Sequence, residues 1–226
     1  MMSVSNSTKE IIQSLVHKAK EAQKKFEKYN QEQVDEVVTA VAWALCKPAT
    51  NKLISKLAVN VTGLGDAEDK VLKNRRKTLG LLRDLKNIKT VGIINEDKKK
   101  GIIEIAKPVG VVGAVTPSTN PAATPLNNII NAIKCRNSII ISPSPAGAKV
   151  FKELLILINK ELDKVNAPKN IFQTFDVHGG SIHRKSFMRY LLLALPPTKL
   201  FSQQETLENS NALITLTELC NITFLF

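Results

Sequence analysis

The fold of this chain is decided by the stretch Lys107–Pro145, which reads KPVGVVGAVTPSTNPAATPLNNIINAIKCRNSIIISPSP. Its two apolar runs, Val109–Val115 and Ser138–Ile141, are typical of strands that are buried on both faces. Between them, apolar residues recur at helical spacing: Leu126, Ile129, Ile130 and Ile133. The stretch therefore predicts a βαβ unit whose strands end in polar turns, TPSTNP and SPSP. Ligands of open parallel sheets bind beyond the carboxyl ends of the strands, so we expect a ligand site at these turns.

Four helices are predicted before this stretch. The first covers about residues 8–28, where apolar side chains recur at helical spacing. Asn30 begins a capping box that predicts the start of the second helix. Pro48 predicts the start of the third, which Gly63 ends. Asp66 caps the fourth helix. The apolar side of that helix is expected to consist of Val71, Leu72, Leu79, Leu82 and Leu85.

Strand-forming runs flank the central βαβ unit on both sides. Thr90–Asn95 and Gly101–Ala106 are rich in β-branched residues and are separated by EDKKK. This pattern predicts a hairpin over about residues 90–106 with a charged tip. Downstream, the SPSP turn predicts the start of a helix that runs to Val165, and Ile171–Phe175 predicts a third strand of the sheet.

The chain changes character from about His183. Apolar clumps such as FMRYLLLALPPTKLF and TELCNITFLF show no helical or strand period, and no consistent element assignment emerges for them. We therefore expect an α/β fold in which helices and a hairpin lead into a parallel βαβαβ sheet that is incomplete at its C-terminal end. Residues 1–182 are expected to form this domain, and residues 183–226 a divergent tail.

The composition favours a globular protein with a basic surface. The 226 residues include 32 Lys and Arg against 20 Asp and Glu, which gives a net charge of +12. The densest basic runs, Lys73–Lys77 and Lys98–Lys100, lack the interleaved aromatic residues that stack on bases. We expect a solvated basic face, or attraction of a polyphosphate cofactor, and we do not expect nucleic-acid binding.

Cysteine and histidine usage indicates neither a disulfide framework nor a metal site. Cys46, Cys135 and Cys220 are far apart and lack ligand spacing, and His17 has no partner ligand near it in sequence. No apolar run is long enough to span a bilayer, and the N-terminus lacks the layout of a secretory signal. These observations predict a cytoplasmic protein that does not bind membranes.

Several ordered motifs resemble the CoA-acylating aldehyde dehydrogenases, including the aldehyde dehydrogenase half of bifunctional aldehyde/alcohol dehydrogenases. They are TPSTNP, then KCRNSIIISPSP, with TGLGDAEDKVLKN upstream and NAPKNIFQ downstream. The similarity covers roughly Gly63–Ser181 well. Several motifs at the right mutual spacing are more specific than a lone glycine motif. The resemblance implies that the parallel sheet is Rossmann-like.

The resemblance also implies a reaction and a set of site residues. In this family a cysteine thiolate attacks an aldehyde, hydride passes to NAD or NADP, and the acyl group passes to coenzyme A. Asn120 matches the asparagine whose amide stabilises the oxyanion. Thr116 and Pro117 match positions that line the nicotinamide side. Three residues match the turn near the adenosine ribose: Ser142, Pro143 and Ser144. The resemblance leaves the preference for NAD or NADP open. It is also compatible with a homo-oligomer in a full-length relative.

Simpler interpretations of the same residues stand beside the catalytic ones. Asn120 before Pro121 also fits the N-cap of a helix, with Thr124-Pro125 as an alternative cap one turn later. Ser142 and Ser144 also fit turn and cap positions. The basic residues Lys134 and Arg136 also fit charges that complement a helix C-terminus.

The family's cysteine nucleophile lies beyond glycine-rich segments that do not appear in this sequence. None of the three cysteines has family-like surroundings, so we assign none of them as the nucleophile. We therefore expect the N-terminal, cofactor-binding portion of such an enzyme, with little or no activity and a tail that is truncated or read in a shifted frame. The alternative is a non-catalytic nucleotide-binding or interaction protein that uses its basic surface. A marginally folded product is a third hypothesis.

Overall fold

Four helices form the amino-terminal part of the chain. The computed structural model describes residues 6–175, 200–202 and 220–225, so the expected domain boundary near residue 182 lies outside the described residues. The helices are α1 (Asn6–Phe26), α2 (Gln31–Cys46), α3 (Pro48–Thr62) and α4 (Ala67–Leu85). No helix in the described ranges is both long and apolar enough to cross a membrane.

The predicted helix boundaries are confirmed. The Asn30 side chain accepts a hydrogen bond from the backbone N–H of Gln33, whose own side chain accepts one from the N–H of Asn30. Pro48 is the first residue of α3, and Gly63 ends it with φ of 67°, in the left-handed region that glycine tolerates. The carboxylate of Asp66 accepts hydrogen bonds from the backbone N–H groups of Glu68 and Asp69 in the first turn of α4.

The predicted apolar side of α4 is wrong for two of its leucines. Leu72 is 67% exposed and Leu79 is 42% exposed. The buried side of α4 instead includes Asn74, whose side-chain amide donates to Asn51 Oδ1 (3.0 Å) and Ser55 Oγ (3.2 Å) of α3. Because α3 presents polar groups, hydrogen bonds replace apolar contacts along this part of the helix pair.

Two sheets follow the helices. The hairpin strands β1 (Gly92–Asp97) and β2 (Ile102–Pro108) are antiparallel, with a register shift between Ile93 and Asn95 and an exposed lysine tip, which confirms the predicted hairpin. The second sheet is parallel. Its elements in chain order are β3 (Val111–Val115), α5 (Ala123–Lys134), β4 (Ser138–Ser142), a 3₁₀ turn (Pro145–Gly147), α6 (Ala148–Lys164) and β5 (Phe172–Thr174).

The described part of the tail adds one strand to each sheet. β6 (Leu200–Ser202) pairs parallel with β3, so the order of the parallel sheet is β5-β4-β3-β6. β7 (Cys220–Leu225) pairs antiparallel with β2. Sequence reasoning assigned no element here, because a three-residue strand is too short to show a period and β7 lies in an apolar clump.

A single apolar core joins the helices to the parallel sheet. The four apolar residues predicted to face inward from α5 are all fully buried: Leu126, Ile129, Ile130 and Ile133. They pack with residues of β3, β4, α2, α4 and α6 in one cluster. The predicted α/β class, with a helical front end and a parallel βαβαβ sheet, is therefore confirmed.

The connection between α5 and β4 is held by buried polar groups. Lys134 is buried and pairs with the carboxylate of Asp35 in α2. Arg136 takes φ of 58° and donates from Nη1 to Glu27 O (2.7 Å) and from Nη2 to Ala106 O (3.2 Å). The Oδ1 atom of Asn137 accepts from the N–H of Gly110 just before β3 (2.8 Å). Lys134 and Arg136 thus have specific partners in α2, in β2 and directly after α1, beyond any effect on the helix dipole.

Replacing Asn137 by Ala is expected to lower the free energy of unfolding by about 1–3 kcal/mol, because it leaves a largely enclosed Gly110 N–H without its acceptor. Urea denaturation measures this. The matched control is Asn95→Ala, since Asn95 is exposed on the hairpin and its loss should change stability by less than about 0.5 kcal/mol. If both variants lowered the free energy of unfolding equally, the hydrogen bond from Gly110 to Asn137 would not be important for holding the start of β3 beside β4.

Candidate functional site

The two predicted ligand turns start side by side at one edge of the parallel sheet. The last residue of β3, Val115, is in register with the last residue of β4, Ser142. The backbone N–H of Thr116 donates to Ser142 O at 3.1 Å, so the strands stay paired into the first turn residue. Thr116 and Ser142 are both buried. The structure therefore brings the two sequence-predicted turns together at the carboxyl ends of adjacent strands.

Gly147 brings the two turns into direct contact. A Cβ atom at this position would lie only 2.9 Å from Pro121 Cβ in the first turn and 2.9 Å from Ser144 Oγ in the second. Ser144 Oγ accepts from the Gly147 N–H (3.1 Å) and caps the 3₁₀ turn, which confirms its cap interpretation. Sequence reasoning missed Gly147, since the requirement for a glycine comes from Pro121, 26 positions away in the sequence.

The N-cap interpretation of Asn120 is wrong. Helix α5 begins at Ala123, and the residue in its cap position is Ala122, which makes no side-chain cap hydrogen bond. Thr124-Pro125 is not the cap either, because both residues lie inside the first turn, where the missing N–H of proline does no harm. Asn120 is only 7% exposed. An enclosed amide that does not cap the helix needs another explanation.

The side chain of Lys70 in α4 extends to the Thr116–Pro121 turn. The sequence analysis did not identify Lys70 as a candidate site residue. Its Nζ donates to Thr119 O at 3.2 Å, next to Asn120. Partial burial lowers the pKa of Lys70, and repulsion from Lys73 lowers it further. The signal in the sequence was the TGLGDAEDK motif, which contains this lysine but says nothing of what it contacts.

The hydroxyl of Ser142 is buried and has no hydrogen-bond partner in the part of the chain that the structure describes. A buried hydroxyl without a partner costs about 1–3 kcal/mol, so such groups in proteins usually meet water or a ligand. Pro143 beside it is buried, and Pro117 in the facing turn is half-buried. The second turn therefore offers an unsatisfied hydroxyl at the edge where ligands of parallel sheets bind.

The described cysteines do not have the surroundings of a nucleophile. Burial raises the pKa of Cys46, which ends α2, and nearby Arg75 opposes this only in part. Cys46 is half-buried. Cys135 is fully buried at the amino end of β4, opposite the two turns. The backbone of Cys220 lies in β7, in register with Pro108 of the other sheet.

Nothing in the described ranges indicates a metal centre. No group of three or more His, Cys, Asp or Glu side chains there is placed to hold an ion. His17 is exposed on α1, as predicted. The site is thus built from backbone turns, an asparagine amide, serine hydroxyls and a lysine.

Comparison with known proteins identifies the family. The sequence model of the aldehyde dehydrogenase family matches residues 1–185. The chain belongs to the aldehyde dehydrogenase family. Residues of TPSTNP, KCRNS and SPSP that suggested the resemblance all lie within the matched range.

Two curated relatives of this family member are named as acylating or acetylating enzymes. The sulfoacetaldehyde dehydrogenase (acylating) of Cupriavidus necator is 51% identical over 164 residues, which cover 73% of this chain and 33% of the relative. The succinate-semialdehyde dehydrogenase (acetylating) of Clostridium kluyveri is 46% identical over 162 residues, which cover 72% of this chain and 35% of the relative. The chain thus spans about a third of the length of these relatives.

Solved structures of acylating aldehyde dehydrogenases share the fold. The acetylating aldehyde dehydrogenase of Geobacillus thermoglucosidasius superposes with a TM-score of 0.74 at 31% identity, over 84% of this chain and 41% of the other. Propionaldehyde dehydrogenase of Rhodopseudomonas palustris with bound CoA gives 0.68 at 28% identity. An engineered glycolyl-CoA reductase with bound NADP+ gives 0.68 at 26% identity. For each of these two, the match covers 85% of this chain and 42% of the other.

Substituting Gly147 by Ala is expected to destabilise the protein by about 1–3 kcal/mol, because the new methyl group overlaps Pro121 and pushes the two turns apart. The control is Ala146→Val in the same 3₁₀ turn, where the side chain is exposed and should tolerate the change. Thermal unfolding of both variants distinguishes the two sites. An unchanged melting temperature for Gly147→Ala would mean that the turns do not pack against each other.

Proposed function

We propose that this chain binds a nicotinamide dinucleotide and coenzyme A and contributes the cofactor side of an acylating aldehyde dehydrogenase site. The observation that carries the proposal is the meeting of the Thr116–Pro121 and Ser142–Gly147 turns at one sheet edge, where the Ser142 hydroxyl has no hydrogen-bond partner among the described residues. Family membership and the CoA and NADP+ bound by structural neighbours support this use of the edge.

Each turn is proposed to hold one part of the dinucleotide. Thr116 and Pro117 would line the nicotinamide side, and Ser142, Pro143 and Ser144 the ribose side. The residues present fit such a ligand, since the buried Ser142 Oγ lacks a partner within residues 6–175 and the two short strands of the tail, and both turns are enclosed at their bases. When bound, the nicotinamide ring supplies the hydride acceptor. Nothing in these turns decides between NAD and NADP.

Asn120 is proposed to stabilise the oxyanion that forms when a thiolate adds to the aldehyde. Its amide N–H groups are donors, it is enclosed near the junction of the turns, and it does not serve as the cap of α5. A fixed donor in a water-poor site stabilises developing negative charge more than water does. The tie between Lys70 Nζ and Thr119 O holds the backbone directly before this amide.

The proposed substrate is a short aldehyde that carries an anionic group. Two relatives are named for sulfoacetaldehyde and succinate semialdehyde, which bear a sulfonate and a carboxylate. The net charge of +12 favours the approach of such substrates and of polyphosphate cofactors.

The 226-residue chain is expected to oxidise aldehydes slowly or not at all, because burial raises the pKa of Cys46 and Cys135 is fully buried at the end of the sheet opposite the two turns. The assay mixes the purified chain with a short aldehyde, NAD+ and CoA and follows reduced cofactor by absorbance. Robust reduction would contradict this part of the proposal. Cys220→Ser would then test the remaining thiol, with Cys46→Ser as its matched control.

Ser142→Ala and Ser144→Ala are compared by NADH titration and thermal unfolding and are expected to differ in their effect on stability. Removing the Ser142 hydroxyl should leave stability unchanged or slightly higher, because that group has no partner in the described protein, while weakening NADH binding about tenfold. Removing the Ser144 cap should lower stability by about 0.5–2 kcal/mol.

Unchanged NADH affinity in Ser142→Ala would remove Ser142 from the proposed cofactor site. No NADH binding by the unaltered chain, together with salt-sensitive binding of nucleic acid, would favour the alternative of a non-catalytic protein that uses its basic surface.

A further inference from the structure

The ammonium group of Lys70 is held at the rim of the Thr116–Asn120 turn. Its Nζ donates to Thr119 O at 3.2 Å. On its other side lies Gly65, where a Cβ would be 3.6 Å from both Cε and Nζ of Lys70. The hydrogen bond to Thr119 O places this positive charge next to Asn120 along the chain, and the bare backbone of Gly65 leaves room for the end of the lysine side chain.

Lys73 places a second positive charge near the first. Residues three apart lie on the same side of a helix, and the repulsion between these two lysines is one cause of the lowered pKa of Lys70. Neither lysine forms an ion pair with a carboxylate in the described ranges. The nearby Asp66 carboxylate is already engaged by the N–H groups of Glu68 and Asp69. Two neighbouring cations without a protein counterion attract an external anion.

We infer that Lys70 and Lys73 bind an oxyanion group, a sulfonate, carboxylate or phosphate, at the rim of the Thr116–Asn120 turn. An ammonium has three N–H donors and Lys70 uses one of them on Thr119 O, so it can contact an oxyanion while it still holds the turn. The inference rests on the proposed function for its ligands, which are the anionic tail of a short aldehyde and the phosphates of the dinucleotide or of coenzyme A.

The placement fits the chemistry of a short anionic aldehyde. Asn120 would face the carbonyl end, and Lys70, hydrogen bonded to the adjacent residue, would face the anionic end. A substrate with both groups would then be held at two points, which selects against aldehydes that lack the anion.

Isothermal titration of the full chain with sulfoacetate, NADH and CoA in separate experiments tests the inference. Whichever of these probes binds should bind about tenfold more weakly in Lys70→Met and at least about threefold more weakly in Lys73→Met. The matched control is Lys52→Met, an exposed lysine of α3, which should leave every affinity unchanged. The probe that responds identifies whether the oxyanion belongs to substrate, dinucleotide or CoA.

If only Lys70→Met weakened binding of the probe, the inference would be overturned. Lys70 would then act only by holding the turn through Thr119 O, a contact that Lys73 does not make in the described part of the chain. Affinities insensitive to both variants, or no binding of any probe, would also overturn it. NADH binding that ignores both lysines keeps the proposed function and rejects the oxyanion site. Sulfoacetate binding that depends on both lysines, without any binding of NADH or CoA, keeps the oxyanion site and rejects the proposed function.

Discussion

The hydrogen bonding of Asn137 and Ser138 with Gly110 is the constraint on which the arrangement of the site depends. The Gly110 N–H donates to the Asn137 side chain, and the Ser138 N–H donates to Gly110 O at 3.0 Å. These bonds set Val111 opposite Ser138 at the start of the paired strands. The same register, followed for five residues, places Val115 opposite Ser142 and brings the two turns together. The hydrogen bonds at the amino ends of the strands thereby determine which turn residues lie side by side at the carboxyl ends.

Positive charge serves two purposes in this protein. Lys134 and Arg136 are buried and donate to a carboxylate and to backbone oxygens, which connect α2, β2 and the residue after α1 to the start of β4. Buried charges persist in proteins only with such partners. The other basic residues of α4 and the hairpin tip are exposed on the surface. Lys70 lies between these classes, because it is partly buried and touches the first turn.

Much of the fold could be predicted because its signals are local. Asn30, Pro48, Gly63 and Asp66 act on neighbouring residues, and the apolar strands of the βαβ unit need only their own composition to be recognised. The failures in α4 and in the tail involve distant partners. The buried side of α4 depends on Asn51 and Ser55 of α3, and the strands β6 and β7 exist only through pairing with β3 and β2.

The candidate site, like the fold, could be predicted only in part. The family motifs identified the two turns, while Gly147 and Lys70 could not be assigned because their roles depend on Pro121 and Thr119 across the fold. The start of α5 after Asn120 was missed because local capping rules favour an Asn before a Pro. That error matters for function, because Asn120 is the residue proposed to stabilise the oxyanion and its position is not explained by a capping role.

The most direct test of the central claim is backbone amide chemical-shift mapping of the isotope-labelled chain during NAD+ titration. The account predicts that the largest shifts fall in residues 116–121 and 142–148, at the junction of the two turns. Shifts centred on the lysines of the hairpin tip, or none that saturate, would contradict a cofactor site at this edge of the sheet.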